Sequence, residues 1–311
     1  MSDNALIRHD RLSVDGTHKI YLAQFGNPEG VPILYLHGGP GAGCYLEELK
    51  LFDLNRYRVL LLDQRGCGHS LPQGCLQDNN LTALLEDIEK VRQWLNIDSW
   101  YMAGGSFGAT LGLIYSGLYP QRVKSQVYWG AFIPSKDAVQ WLYGQQGAAL
   151  EFPNEYRRFS QGIGVQASTV ELFQLYHQGM HHQDPSVKQH FIHRWIKWEA
   201  RLALPDRFLR FVDEQRAEDL AKTELHFALN DYFDAERLLA KVTPKIKAPT
   251  YLLQGENDWV CPYKFVKSYQ HRFSNTQIKY HLVLGGNHSL DNQAMCHAVQ
   301  QTLEDFVYRP S

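Results

Sequence analysis

The sequence lacks any long uninterrupted run of apolar residues and any large excess of one charge. No stretch reaches the roughly 20 apolar residues that a membrane-spanning helix needs. The 311 residues carry 31 Lys and Arg against 33 Asp and Glu, a formal net charge of -2. This balance provides no field to attract nucleic acid or an anionic membrane surface. We therefore expect a peptide or small-molecule partner, with no nucleic acid and no membrane involved.

Cysteine is also scarce, and its few occurrences form no recognisable pattern. The five cysteines are Cys44, Cys67, Cys75, Cys261 and Cys296. Their odd number and scattered positions fit reduced thiols better than a disulfide framework, and zinc-type C-x-x-C spacing is absent. The first ten residues also lack the apolar segment of a signal peptide. These features predict a cytoplasmic protein.

Short apolar runs alternate with amphipathic segments along much of the chain. Strands are predicted at residues 19–25, 31–36, 58–62, 101–105, 124–129, 247–253 and 278–284, and helices at 80–96, 109–119 and 293–307. The unbroken apolar run at 58–62 is typical of a strand buried on both faces of a parallel sheet. The alternation of strands and helices predicts a mostly parallel sheet flanked by helices. We expect the first two of these strands to be neighbours, because only a short turn separates them.

The stretch from about residue 133 to residue 242 has a different character. It is rich in aromatic residues and helical in pattern, with no convincing strand. Its place between two strands predicts a helical cap over the carboxyl edge of the sheet, where α/β sheets bind their ligands. The predicted core therefore comprises residues 1–132 and 243–311, and the predicted cap residues 133–242.

The sequence Gly104-Gly-Ser-Phe-Gly108 lies between a predicted strand and a predicted helix. This G-x-S-x-G pattern is typical of a turn that exposes a nucleophilic serine, here Ser106. The pattern alone is weak evidence, because many turns have this composition. The interpretation depends on whether later loops supply an acid and a histidine.

Two later loops contain candidate partners in the order that an α/β-hydrolase requires. Asp258 follows the predicted strand at 247–253, and His288 follows the one at 278–284. His288 would act as the general base for Ser106, and Asp258 would orient the imidazole. Asp137 is a rival acid, but it lies several residues beyond its strand and ranks behind Asp258.

A glycine-rich loop at residues 37–43 follows an earlier strand. Its spacing differs from a dinucleotide-binding fingerprint and Pro40 interrupts it, which leaves two interpretations, a simple turn or a loop that approaches a ligand closely. In a serine hydrolase, one oxyanion donor comes from such a loop and one from the residue after the nucleophile. The backbone N–H groups of Gly39 and Phe107 match these positions.

The motifs together resemble the proline iminopeptidase family of the α/β-hydrolase superfamily over essentially the whole chain. The residues that carry the resemblance are His37-Gly-Gly-Pro-Gly41, Asp63-Gln-Arg-Gly-Cys-Gly-His-Ser70, Gly104-Gly-Ser-Phe-Gly108, Gly255-Glu-Asn-Asp258 and Asn287-His288-Ser289. The resemblance implies an α/β-hydrolase fold with an inserted helical cap. It also implies a prolyl aminopeptidase that needs no metal or organic cofactor.

The resemblance extends to two cap motifs, Trp195-Ile-Lys-Trp198-Glu199 and Glu224-Leu-His-Phe227. It implies that Glu199 and Glu224 bind the free amino end of a peptide, and that Trp195 and Trp198 also bind substrate. Phe132 would line an apolar pocket for a proline ring. The chain departs from the family at Phe107, where tryptophan is common, so we expect a smaller pocket wall.

Two alternatives to a peptidase stay open on the sequence. An esterase or lactonase could use the same scaffold, and the fold could also serve as a binding module without catalysis. In the cap, His177, His181 and His182 invite a metal interpretation because residues four apart share a helix face. No fourth ligand is evident, so we expect a solvated surface and no metal site.

Overall fold

The computed structural model describes residues 5–164, 166–204, 213–274 and 276–308. These residues form an eight-stranded sheet with the spatial order β1-β2-β4-β3-β5-β6-β7-β8. The strands are β1 Leu6–Ser13, β2 Lys19–Gly26, β3 Val31–Leu36, β4 Tyr57–Asp63, β5 Trp100–Gly105, β6 Val123–Trp129, β7 Thr250–Gly255 and β8 Ile278–Val283. β1 and β2 pair antiparallel, as do β2 and β4, and the remaining pairs are parallel.

Eleven α-helices are found in the described residues, and they are distributed unevenly along the chain. They are α1 Leu81–Trp94, α2 Phe107–Leu118, α3 Lys136–Tyr143, α4 Ala148–Glu151, α5 Pro153–Phe159, α6 Thr169–Met180, α7 Pro185–Ala203, α8 Glu214–Leu229, α9 Ala235–Val242, α10 Tyr263–Arg272 and α11 Gln293–Tyr308. Helices α3 to α9 all come between β6 and β7. We refer to residues 133–242 as the cap, and the division into cap and core stays a prediction because α9 packs against α2.

The alternation of side chains along β3 explains why helices cover both faces of the sheet. Leu34 and Leu36 point to the face that contains α1 and α2, whereas Ile33 and Tyr35 point to the face covered by α11. All four side chains are at most 3% exposed. A parallel strand buried on both faces needs apolar residues at every position, and this is the pattern that the sequence shows.

The predicted strands and helices are confirmed within a few residues, with one correction to their arrangement. β2 and β3 are not neighbours, because β4 lies between them and pairs with both. Although only a short turn separates β2 from β3 in the chain, the two strands lie on opposite sides of β4. β2 pairs with β4 antiparallel, and β3 pairs with β4 in parallel. The alternating, charged segment of β1 and the helix α10 were not predicted.

Five neighbouring strands bring the candidate site together. β3, β5, β6, β7 and β8 are consecutive in the sheet and mutually parallel, so their carboxyl ends meet at one edge. The glycine-rich loop, Ser106, Phe132, Asp258 and His288 each follow one of these strands. In the described part of the chain, no helix combines the length and apolar character of a membrane span.

Candidate active site

Ser106 occupies a sharply bent position between β5 and α2. Its backbone has φ 55° and ψ -123°, a conformation that non-glycine residues rarely adopt. The flanking glycines are required by space, because a Cβ on Gly104 would lie 2.6 Å from the carbonyl oxygen of Leu36 and one on Gly108 would overlap the same atom. The turn is held from β6, where the Trp129 carbonyl accepts the Ser106 N–H at 3.0 Å. This packing holds Ser106 at the sheet edge.

The structure pairs Asp258 with His288. The Nδ1 of His288 lies 2.9 Å from Oδ2 of Asp258. The other oxygen, Oδ1, accepts the backbone N–H groups of Val260 and Cys261 at 3.0 and 2.8 Å, and Gln254 donates to Oδ2 at 2.8 Å. Asp258 is only 3% exposed, and these donors make a buried, charged carboxylate tenable there.

The protonation of His288 is set by opposing influences. Burial acts to lower the pKa of the ring, but the nearby charges of Asp258 and Glu199 outweigh it, so the pKa is raised above 6.5. Because Nδ1 donates to the carboxylate, Nε2 of the neutral ring is the atom that can accept a proton. Gly130 makes room for the pair: it has φ +50°, and a Cβ there would lie 2.8 Å from His288 Nδ1 and 3.1 Å from Asp258 Oδ2.

Cys261 joins the loop that carries Asp258 to the serine turn. Burial raises the pKa of its thiol well above the ordinary value, and the nearby Ser106 hydroxyl acts to lower it. The thiol therefore stays protonated and neutral. The influence of Ser106 on this thiol places the loop after β7 close to the serine turn.

The glycine-rich loop after β3 lies against the serine turn. A Cβ on Gly38 would be 3.0 Å from the Cβ of Ser106, and Gly39 has φ +105°. Phe107 is the first residue of α2, so its N–H has no partner within the helix. His37 at the start of the loop is held by the loop after β4, because its Nε2 accepts the Gln64 N–H at 3.0 Å. Burial lowers the pKa of the His37 ring.

The two cap glutamates converge, which the sequence alone could not establish. The side chains of Glu199 on α7 and Glu224 on α8 share a hydrogen bond. The Tyr143 hydroxyl donates to Glu199 Oε1 at 2.6 Å, and the Trp195 indole N–H donates to Glu224 Oε2 at 2.8 Å. The charge of Glu199 also acts on His288, so the carboxyl pair lies next to the sheet-edge residues.

The carboxyl pair holds one proton more readily than isolated carboxyls would. Burial raises the pKa of both groups. The charge of Glu199 raises the pKa of Glu224 further, whereas hydrogen bonds from Glu224 and Tyr143 act to lower that of Glu199. Glu224 is therefore the member of the pair that holds a proton more readily, since like charges at this distance cannot both ionise freely.

The aromatic residues predicted to line the site divide into two groups. Phe132 follows β6, is buried, and donates its N–H to the Ser106 carbonyl at 3.2 Å. Trp198 instead lies in the cap interior, where its indole donates to the Leu142 carbonyl at 2.9 Å and its ring stacks on Phe159 at 5.3 Å. These contacts lie within the cap, and a substrate-binding role for Trp198 stays a prediction. One helical turn separates it from Trp195, which positions Glu224.

The rival residues lie elsewhere. Asp137 is exposed in the first turn of α3, whereas Asp258 is hydrogen-bonded to His288. The rings of His177 and His181 are 4.5 Å apart, and Nδ1 of His181 contacts the His177 carbonyl oxygen at 2.9 Å. Within the described residues, no group of three metal-ligating side chains comes together.

Three residues of the site were not predicted from the sequence. Tyr143 and Tyr232 reach it from the cap, and Gln254 reaches it from the buried end of β7. Gln254 could have been found as a polar residue at the end of an apolar strand. The two tyrosines could not, because aromatic residues are frequent throughout the cap and no spacing distinguishes these two.

Comparison with known proteins first defines the class. Residues 31–290 match the family described as the alpha/beta hydrolase fold. Solved structures agree on the fold. An epoxide hydrolase from Vigna radiata superposes with a TM-score of 0.66 at 19% identity, with 99% of each chain covered. A proline iminopeptidase-related protein from Thermus thermophilus gives 0.63 at 21% identity, covering 97% of this chain and 99% of that one. The protein is thus a hydrolase with the α/β-hydrolase fold.

Closer relatives then define the family. The chain is 33% identical to the proline iminopeptidase of Neisseria gonorrhoeae over 306 residues, with 96% of both chains covered. It is 36% identical over 259 residues to that of Arabidopsis thaliana, covering 81% of this chain and 67% of the plant protein. The chain belongs to the proline iminopeptidase family, as its sequence motifs predicted.

Proposed function

We propose that this hydrolase is a serine exopeptidase that releases an N-terminal residue, preferably proline, from peptides. The observation that carries the proposal is the convergence of Glu199 and Glu224 beside His288. A buried pair of carboxyls that shares a proton is costly unless a cation neutralises it. The ammonium group of a free peptide amino end supplies that cation.

The amine contact also explains why only one residue would be removed. Charge-assisted hydrogen bonds from the ammonium to Glu199 fix the amino end at one point of the site. The first carbonyl would then come to Ser106, whereas a peptide with a further N-terminal residue would carry its amine away from this point. Binding the amino end thus orients the scissile bond, which is a large part of the work of such an enzyme.

Chemistry at Ser106 would proceed through an acyl-enzyme. His288 Nε2 takes the hydroxyl proton while Ser106 Oγ attacks the carbonyl carbon, and Asp258 stabilises the imidazolium that forms. The N–H groups of Gly39 and Phe107 donate to the oxyanion. His288 then gives its proton to the departing peptide amine. A water molecule next loses a proton to His288 and attacks the ester carbonyl, and His288 returns the proton to Ser106 Oγ as the amino acid is released.

A side-by-side assay tests this function against an esterase or lactonase. Purified protein is offered prolyl arylamide, alanyl arylamide and short acyl esters. We expect the highest kcat/KM on prolyl arylamide, with alanyl arylamide below it. Activity confined to the acyl esters would reject the exopeptidase.

The nucleophile is tested in the same assay by Ser106→Ala. Loss of the serine removes the acyl-enzyme route, and removing the nucleophilic serine of such a triad costs on the order of 10⁶ in kcat. The variant should also fail to react with a fluorophosphonate probe that labels the wild type. A wild-type protein that the probe does not label would revive the binding-module interpretation.

A further inference from the structure

The segment that joins α8 to α9 has an unusual backbone. Four consecutive residues, Asp231 to Asp234, have φ values of 49°, 48°, 53° and 60°. None of them is glycine, and two are aromatic. L-residues adopt the left-handed region singly and at a cost, and bulky residues rarely do so. Such a run persists only where the contacts of its side chains hold it in place.

The side chain of Tyr232 enters the candidate active site. It is 3% exposed, and its ring centroid lies 5.0 Å from that of Phe132 and 6.5 Å from that of Phe107. Phe107 directly follows Ser106, and Phe132 donates its N–H to the Ser106 carbonyl at 3.2 Å. The ring of Tyr232 therefore forms the cap side of the apolar surface next to the serine.

The hydroxyl of the same side chain faces the residues around the carboxyl pair. Tyr143 and the charges of Glu199 and Glu224 all act on it. Tyr143 donates its single hydroxyl hydrogen to Glu199 Oε1 at 2.6 Å, so of the two tyrosines only Tyr232 has a hydrogen left to donate to the other. One residue thus packs on the apolar wall and lies beside the tyrosine that donates to the carboxylate proposed to bind the amine.

The adjacent residue points the other way. Phe233 has the same left-handed backbone, but its ring lies 4.9 Å from Phe227 and 5.5 Å from His226. It packs against α8 and makes none of the contacts of Tyr232. Phe233 therefore offers a matched control within the same turn.

We propose that Tyr232 is the residue that determines which first residue the enzyme accepts. Its ring closes the pocket against Phe132, so that a compact proline or alanine fits while leucine and phenylalanine are excluded. Its hydroxyl orients Glu199 through Tyr143, so that the amine is bound in register with Ser106. This inference rests on the proposed exopeptidase function and adds the pocket that selects the substrate.

The test compares Tyr232→Asn, Tyr232→Phe and Phe233→Asn with the wild type. Asparagine removes the ring but accepts the left-handed backbone, so the turn is preserved. Each variant is assayed on prolyl, alanyl, leucyl and phenylalanyl arylamides and on a short acyl ester. Thermal melting verifies that each is folded.

Tyr232→Asn should raise the ratio of leucyl or phenylalanyl to prolyl kcat/KM by roughly tenfold or more, the size of effect that a few methylenes have in an apolar pocket. Tyr232→Phe should keep that ratio and raise KM for all four arylamides, with the ester unaffected. Phe233→Asn should leave the ratio unchanged even if its melting temperature falls.

An unchanged ratio in folded Tyr232→Asn, or an equal change in Phe233→Asn, would overturn the inference. If Tyr232→Asn does not fold, Tyr232→Phe decides: unaltered KM values on all arylamides would reject the role in orienting Glu199. A wild type that cleaves no aminoacyl arylamide would overturn the proposed function itself. If the wild type cleaves aminoacyl arylamides but the Tyr232 variants show the same kcat/KM ratios and KM values as the wild type, only the role of Tyr232 is overturned.

Discussion

The sheet edge and the cap contribute to the candidate site in different ways. At the sheet edge, Asp258 is surrounded by donors, and each functional group comes at the end of its own strand. In the cap, Glu199 and Glu224 face each other with fewer donors than two charged carboxylates need. One region is complete without substrate, whereas the other is an electrostatic arrangement that a cation would complete. The first suits chemistry on any acyl group, and the second suits selection of a free amine.

The largest expected effect comes from disturbing the sheet edge alone. Gly130→Ala places a methyl group 2.8 Å from His288 Nδ1, at a position with φ +50° that alanine also resists. We expect the His288–Asp258 pair to be displaced and kcat to fall about 100-fold or more, on arylamide and ester substrates alike. Steady-state kinetics on both substrates measure this.

Gly16→Ala is the matched control for that substitution, because nothing lies within 4 Å of its Cβ position. It should leave both activities at the wild-type level. A Gly130→Ala protein with normal kcat on the ester would contradict the assignment of His288 and Asp258.

A smaller and selective effect is expected in the cap. Glu199→Gln removes the more readily ionised carboxyl of the pair, so prolyl arylamide cleavage should fall by roughly 10- to 100-fold, the range for a charge-assisted hydrogen bond of about 1.5–3 kcal/mol. A simple nitrophenyl ester, which has no ammonium, should be cleaved as before. Equal loss on both substrates would reject Glu199 as the amine anchor.

Glu224→Gln sharpens the same test. The amide can accept from Trp195 and donate to Glu199, as the protonated acid does, so its loss of arylamide activity should be smaller than that of Glu199→Gln. Because folding raises the pKa of Glu224 above 4.5, the native protein loses stability as pH rises past 4.5 and the unfolded carboxyl ionises. The melting temperature of the variant should therefore exceed that of the wild type by a margin that grows with pH from that point.

The smallest effect is on the pH profile. In the proposed mechanism His288 is a base only when neutral, and its folded pKa is raised above 6.5. The kcat/KM of the wild type should therefore decline on the acid side with a midpoint above 6.5. Glu199→Gln removes one of the charges that raise this pKa, so the midpoint should move to lower pH on the ester. A flat acid limb well below pH 6 would contradict the role of His288 as base.

The two regions also differ in how far the sequence predicts them. Ser106 and Asp258 follow buried strands and His288 follows the edge strand β8. A parallel sheet brings strand ends together by its topology, so chain order and periodicity were enough to predict that the three lie at one edge. Glu199 and Glu224 were found only through family resemblance, because their convergence depends on how α7 and α8 pack. Tyr232 was not predicted because its orientation depends on a left-handed backbone. The local sequence has no glycine, so it gave no indication of that backbone.

Phe107 shows the same limit within the serine turn itself. Its place in the motif predicted the backbone N–H, but not the surroundings of its ring. The ring is fully buried and packs edge-on against Phe227 of α8 at 5.2 Å. The side chain that departs from the family therefore contacts α8 of the cap. Its size thus affects how α8 packs against the serine turn.

The pairing of β6 with β7 has a consequence for the order in which the protein is made. Gln126 and Thr250 are hydrogen-bonded although 124 positions separate them in the chain. A ribosome therefore completes Gly39, Ser106 and the whole cap before it reaches Asp258 and His288. The serine is synthesised without its proposed base, and contacts between residues so far apart in the chain form slowly. Under the proposed mechanism, the serine of a nascent or truncated chain has no base until the last two strands join the sheet.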